Sequence, residues 1–305
     1  MCSSKLLLIW LLGLGLWRSA QAQTSYTGLV GTLPIELVLE DYGTYPATKS
    51  LAVAGLYAYT KFNTPIELSG MLAQGRLTLS ERAAHGKPSA TLIIPAFDRA
   101  SRTLTGTWQS LATGQQLPIT LTQRFAATAG EGTTWAGYEL LETATLPTVY
   151  FKTVLAKKPG DYYGKIVGVK LFAKKNGRLV QQLAVADCQL LGFAHNVAVG
   201  DYNFDGYPDF SVFEQSYAGP NTSSLYFLYN PVTKRFEESG FEGVSLEFDA
   251  KDKRIYERNS CCAGTSVTTA VYKVVHNTMV PLEKHCFRWN EQKKNLEERP
   301  WRDCQ

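Results

Sequence analysis

The chain is poor in the residues on which most hydrolytic and nitrogen- or sulfur-ligated metal chemistry depends. Among 305 residues it has four histidines, His85, His195, His276 and His285. It has no Gly-x-Ser-x-Gly elbow to raise a serine nucleophile above a sheet. No motif brings a nucleophile, a base and an orienting group together. His195 with Glu214 is the pair that could act as acid and base, but a lone histidine beside a strand more commonly makes a structural hydrogen bond. These absences lead us to expect a protein that is not an enzyme. Beyond the first residues there is no apolar run long enough to span a bilayer. Lysine and arginine form no stripe of the kind that nucleic acid requires. Amphipathic helix patterns are scarce throughout, and the stretch Asp201–Asp209 occurs in a single copy, so a full multi-blade propeller of repeats is not expected.

What is present begins with a leader. Lys5 supplies the positive start, Leu6 to Trp17 the apolar core, and Ser19-Ala-Gln-Ala22 a small-residue cleavage site, so cleavage is expected after Ala22. Cys2 precedes the apolar run and is no lipid-attachment cysteine. The formal charge of +4 includes Lys5 and Arg18, which leave with the leader, so the exported chain is near neutral. Export, to the periplasm or beyond, implies an oxidising and calcium-rich surrounding. The cysteines beyond the leader are Cys188, Cys261, Cys262, Cys286 and Cys304. Their spacing fits no zinc pattern, so disulfides are expected, with one cysteine left over. Adjacent Cys261 and Cys262 point to opposite faces if they lie in a strand. One of them is expected to meet Cys286 across a hairpin and the other to take Cys188 or Cys304, the connectivity remaining open.

Hydrophobic alternation makes the chain mainly β, in two domains. Residues 24–124 show short alternating runs, such as Ile35, Leu37 and Leu39, with turns about every ten residues. This predicts an antiparallel meander rolled into a barrel or half-barrel, with Trp108 filling the core or plugging one end. Residues 125–134, with Gly130 and Gly132, read as a linker. Residues 135–305 read as a second β-rich domain. Lys175-Asn-Gly177 and His276-Asn-Thr278 are hairpin turns there, and the charged tail from Asn290 is a short helix or loop.

The most informative stretch is Asp201-Tyr-Asn-Phe-Asp-Gly-Tyr-Pro-Asp209. Oxygen-bearing side chains fall at its first, third, fifth and ninth places, Asp201, Asn203, Asp205 and Asp209. Gly206 stands at the sixth, where a sharp bend needs positive φ, and the carbonyl of Tyr207 falls at the seventh. Oxygen donors without Cys or His suit Ca²⁺ and not zinc. Short strand-like runs flank the loop, and its twelfth place is Val212, where an EF-hand has its bidentate glutamate. A strand–loop–strand site of modest affinity is expected, Kd on the order of 10⁻⁴ to 10⁻³ M, holding a structural ion. The alternative is an Asx-rich turn without metal. Of the interleaved aromatics, Tyr202, Phe204 and Tyr207, one or two could project as contacts, although packing on the sheet beneath is favoured.

The first domain resembles a module found in exported bacterial proteins, through Tyr26-Thr-Gly-Leu, Gly55-Leu-Tyr-Ala-Tyr59, Ile66-Glu-Leu-Ser-Gly70 and Gly106-Thr-Trp108; no chemistry is tied to that module. The second domain carries Gly200 to Asp209, the Tyr-Phe-Leu-Tyr-Asn-Pro-x-Thr-x-x-Phe segment at Tyr226 to Phe236, and Thr268 to Lys273. In these it resembles exported bacterial proteins related to the calcium-binding periplasmic immunity protein of a type IV secretion killing system. The resemblance, over Phe193 to Phe287, implies propeller-like antiparallel sheets and calcium at Asp201, Asn203, Asp205, Tyr207 and Asp209. It also implies a binding protein that inhibits a lysozyme-like peptidoglycan hydrolase; no inhibitor motif carries over. An adhesion or carbohydrate-binding protein using the tyrosines of the first domain is the alternative.

Overall fold

The structure is a computed structural model and describes residues 23–45, 50–82, 87–127, 130, 132–190, 194–217 and 219–304. The expected leader and His85 lie outside these residues. The chain is mostly strand, as expected. Eight strands close a barrel: β1 (Gln23–Val30), β2 (Leu33–Tyr45), β3 (Ser50–Tyr59), β4 (Ile66–Ala73), β5 (Arg76–Arg82), β6 (Pro88–Ile94), β7 (Thr103–Ser110) and β8 (Gln116–Ala127). They run in sequence order, and β1 pairs antiparallel with both β2 and β8, which closes the ring. The alternation does the work. Ile35, Leu37 and Leu39 of β2, Leu77 and Leu79 of β5, and Ile119 and Leu121 of β8 all point inward and fill the lumen.

Closing so small a ring forces strands to cross tightly, and the glycines of the first-domain motifs stand at those crossings. A Cβ on Gly28 would lie 1.9 Å from the carbonyl oxygen of Thr120, and one on Gly70 1.9 Å from that of Thr78. Only hydrogen fits there. Trp108 is partly buried and packs against the lumen cluster. Its indole N–H donates to Glu81 Oε1 at 2.7 Å, and Glu81, nearly buried, also accepts the hydroxyls of Tyr57 and Ser89.

Three further antiparallel sheets follow, each with its strands in chain order. The second sheet holds β9 (Trp135–Thr145), β10 (Val149–Lys157), β11 (Lys165–Ala173) and β12 (Leu179–Gln189). The third holds β13 (Val197–Gly200), β14 (Asp209–Ser216), β15 (Thr222–Asn230) and β16 (Arg235–Glu238). The fourth holds β17 (Glu247–Asp249), β18 (Arg254–Cys261), β19 (Ser266–Val275), β20 (Thr278–Asn290) and β21 (Asn295–Arg299). The tail is therefore first a strand, which corrects the helix-or-loop expectation over Asn295–Arg299, and then a short 3₁₀ helix at Trp301–Cys304. The expected turns are present, with Gly177 at φ 66° and with His276 at 48° and Asn277 at 57°.

One apolar cluster joins Val38, Leu56 and Phe125 from the outside of the barrel to Phe151 and Val169 of the second sheet and Phe210 and Phe227 of the third. The barrel strand β8 enters the stretch read as linker. Phe125 near its end stacks on Tyr138 of β9, ring centroids 3.7 Å apart. A smaller cluster joins the third sheet to the fourth through Phe204, Tyr226, Leu228, Phe241 and Ile255.

The cysteines pair as Cys261–Cys262 and Cys286–Cys304, with Cys188 free and buried. The expected bond from the adjacent pair to Cys286 does not form. Cys286 lies opposite Thr268 on β19, whereas Cys261 lies opposite Ser266 on the far side of that strand.

Candidate metal centre

Gly200 and Asp209 are the last paired residues of β13 and β14, so Asp201 to Pro208 form the hairpin loop between them. The bend is made by Phe204 at φ 62° and Gly206 at φ 90°, the second being the position where glycine was required. The side-chain oxygens hold the loop by capping its backbone donors. Asp201 Oδ1 accepts the Asp205 N–H at 3.0 Å and its Oδ2 accepts the Gly206 N–H at 2.9 Å. Asn203 Oδ1 accepts the Asp205 N–H at 3.1 Å, and Asp205 Oδ1 the Tyr207 N–H at 2.9 Å. Each of these oxygens keeps a second lone pair.

Asp209 has a different environment. It is fully buried, its Oδ2 accepting the Tyr202 N–H at 2.9 Å and its Oδ1 the Tyr229 N–H at 2.8 Å. It thus clamps the start of the loop to β15. Burial pushes its carboxyl up to about 6 against those two hydrogen bonds, and the negative charges of Asp205 and Asp201 push in the same direction.

The loop aromatics divide as their spacing allowed. Tyr202 and Phe204 pack inward against Phe248 of β17, with Tyr202 also against Tyr226. Tyr207 is 45% exposed and leans on Tyr229, ring centroids 5.9 Å apart. The loop also reaches the fourth sheet by polar contacts. Asn203 Nδ2 donates to Asn277 Oδ1 at 3.0 Å, and Lys253 Nζ to the Phe204 carbonyl at 3.2 Å. A cleft of about 340 Å³ opens beside it, lined by Asp205, Tyr229, Asn230, Glu237, Glu238 and Asn277, among others.

Among the described residues, no three His, Cys, Asp or Glu side chains converge as a ready-made metal-ligating group. Asp201, Asn203 and Asp205 are together on the bend, but Asn203 turns its amide nitrogen to Asp205 Oδ2 at 2.8 Å. A cation entering there has to displace that contact. The chemistry of the donor set nevertheless fits a hard divalent ion. It is all oxygen, and a cation would relieve the anionic crowding felt at Asp209.

His195 is held by Thr143, Nδ1 to Oγ1 at 2.9 Å. Next to it lies a residue that sequence reasoning missed. Glu142 of β9 is fully buried and accepts Asn196 N–H and Nδ2–H, both at 3.0 Å, and the Thr153 hydroxyl at 2.8 Å. Burial pushes its carboxyl up to about 7 in spite of these bonds. Asn196 immediately precedes β13, so Glu142 fixes the strand that feeds the loop.

No family model matches the chain, and no curated protein does. Solved structures similar to it at low level include three of note. One is a protein from Lactobacillus plantarum, 13% identical, with 91% of this chain and 95% of that chain covered and a TM-score of 0.25. Another is an oligogalacturonate lyase in complex with manganese, 9% identical, covering 86% and 85%, with a TM-score of 0.23. The third is an oligogalacturonate lyase from Vibrio parahaemolyticus, 9% identical, covering 90% and 84%, with a TM-score of 0.20. Two of the three are enzymes, so the expectation that this chain is not an enzyme is withdrawn. At such TM-scores the likeness assigns neither a reaction nor a metal to this chain.

Proposed function

We propose that the chain is an exported protein that takes up Ca²⁺ at Asp201, Asn203, Asp205 and the Tyr207 carbonyl, with Asp209 bracing the loop from beneath. The observation that carries this reading is the set of capping oxygens gathered at a glycine bend, with the charges of Asp201 and Asp205 bearing on Asp209. Calcium there would rigidify a loop that already ties the third sheet to the fourth through Phe204 and Asn203. In this reading the three sheets make a propeller-like unit beside the barrel. The exposed Tyr207 and the acid-rimmed cleft at Asp205, Glu237 and Glu238 then form a docking surface for a basic protein. Preorganising that surface lowers the ordering cost of binding.

The partner class that the resemblance favours is a lysozyme-like peptidoglycan hydrolase. In a turbidity assay of cell-wall lysis, the full exported chain with Ca²⁺ is expected to inhibit such an enzyme. EGTA or Tyr207→Ala is expected to weaken inhibition at least tenfold. Unchanged lysis at a large molar excess would exclude this partner class. A second reading, carbohydrate binding, is favoured by a cleft of about 320 Å³ where the barrel meets β9. There the stacked Phe125 and Tyr138 stand beside Glu36, Arg124, Glu139 and Lys152, an aromatic face with charged hydrogen-bonding groups.

A further inference from the structure

Four cysteines gather at one end of the fourth sheet, and their surroundings differ sharply. Cys261 ends β18 and Cys262 opens the short 3₁₀ turn Cys262–Gly264; both are exposed. Cys286 in the middle of β20 is fully buried, and its partner Cys304 is half-buried. The backbone at the adjacent pair is unusual as well. Cys262 at φ 58°, Ala263 at 55° and Gly264 at 83° are three consecutive left-handed residues, and two of them carry a Cβ that this conformation crowds. Such a turn persists only where its surroundings hold it. Here Thr265 holds it, donating its N–H at 3.2 Å and its hydroxyl at 2.7 Å to the Cys262 carbonyl. Thr265 is in turn held by the Trp289 N–H at 2.8 Å.

The sheet register also places Cys261 beside the second bond. Directly opposed residues of an antiparallel pair share a face, and Cys261 is opposed to Ser266. The Ser266 hydroxyl lies 3.9 Å from Cys304 Sγ. Thr268, two residues along the same face, is opposed to Cys286. Cys261 of the exposed pair and Cys286 of the buried bond therefore lie on one face of one sheet. Cys188 takes no part. It sits on β12, where burial pushes its thiol up to about 12 and keeps it protonated.

We propose that Cys261–Cys262 is a thiol–disulfide exchange site that accepts dithiols, and that Cys286–Cys304 is the structural bond. One thiolate of the dithiol attacks a sulfur of the exposed pair. The Cys261–Cys262 bond breaks, a mixed disulfide forms, and the neighbouring cysteine leaves as thiolate and takes a proton. The second thiol of the dithiol then attacks the mixed disulfide from its own side. This releases the dithiol as a disulfide and leaves both cysteines as thiols, so two electrons and two protons have passed to the pair. A monothiol is handled differently. The thiolate it displaces is on the adjacent residue, at very high effective concentration, and expels the monothiol before a second one arrives.

The test is graded reduction of the full oxidised chain, followed by acid quench, maleimide alkylation and peptide mapping. With dithiothreitol, Cys261 and Cys262 are expected to be alkylated at concentrations about tenfold lower than Cys286 and Cys304. Reduced glutathione at equal thiol concentration is expected to leave the pair closed. Reduced thioredoxin opening the pair as well would extend the site to protein dithiols; its failure beside success with dithiothreitol would confine the site to small ones. The proposal is overturned if Cys286–Cys304 opens first or all four cysteines open together. A map that links Cys261 or Cys262 to any other cysteine in the oxidised chain overturns it equally.

Discussion

Asp209→Ala is expected to cost about 3–5 kcal/mol of folding free energy, enough to leave a marginally stable protein largely unfolded. The carboxylate is fully buried and each of its oxygens satisfies one backbone donor, Tyr202 N–H at the start of the loop and Tyr229 N–H on β15. Removing it orphans two buried N–H groups, each worth about 1–3 kcal/mol, and leaves a void beneath the loop. Asp209→Asn keeps the shape and one acceptor but turns an amide N–H₂ toward the other donor, so a loss of about 2 kcal/mol is expected. Urea denaturation of both variants and the parent, all in EGTA, measures this without any metal contribution. Losses under about 1 kcal/mol for the alanine variant would show that Asp209 is no clamp.

The second large effect is a pH dependence centred on Glu142. Its carboxyl is fully buried and titrates at about 7 in the folded chain, against an ordinary value of 4.5. The folded state therefore favours the protonated acid. The stabilisation from this group is complete below about 4.5 and is lost as pH rises through about 7, with a span of about 3 kcal/mol. Above that range the fold has to hold a buried carboxylate on hydrogen bonds from Asn196, Thr153 and the Val197 backbone. Glu142→Gln cannot ionise, so it is expected to lack this slope while losing the bond from the Asn196 backbone N–H at every pH. The stability difference between parent and Glu142→Gln should thus shift by about 3 kcal/mol between pH 4.5 and pH 7.5, in favour of the variant as pH rises. A constant difference across that window would place the Glu142 titration elsewhere.

How much of this was legible depended on whether one short stretch carried the signal. The barrel was legible because its inward residues alternate strictly, as in Ile35, Leu37 and Leu39. The loop was legible because its oxygens and glycine fall at fixed spacings along nine residues. β9 was not, since Leu140, Leu141 and Glu142 are buried in succession and its pairing with β10 shifts register twice, which erases the period of two. β21 was missed for the opposite reason. It is an edge strand, Asn-Leu-Glu-Glu-Arg, with almost no buried side chain, so it has no apolar face to reveal it.

Partnerships across the chain were less legible still. Nothing near Asp209 in sequence announces that Tyr229, twenty residues on, donates to it and so ties the ninth place of the loop to β15. The adjacent cysteines were expected to diverge because strand neighbours do. They meet because the strand ends at Cys261 and Cys262 enters the left-handed region.

The claim on which the functional reading rests is that the Asp201–Asp209 loop takes up a divalent cation, and titration calorimetry of the chain from Gln23 onward with CaCl₂ tests it most directly. A saturable heat with Kd on the order of 10⁻⁴ to 10⁻³ M is expected, abolished in Asp201→Asn/Asp205→Asn. In the same samples, 10 mM Ca²⁺ is expected to stabilise the parent by about 1–3 kcal/mol relative to EGTA. No heat above dilution, together with melting unmoved between Ca²⁺ and EGTA, would contradict it and leave the loop a hydrogen-bonded turn.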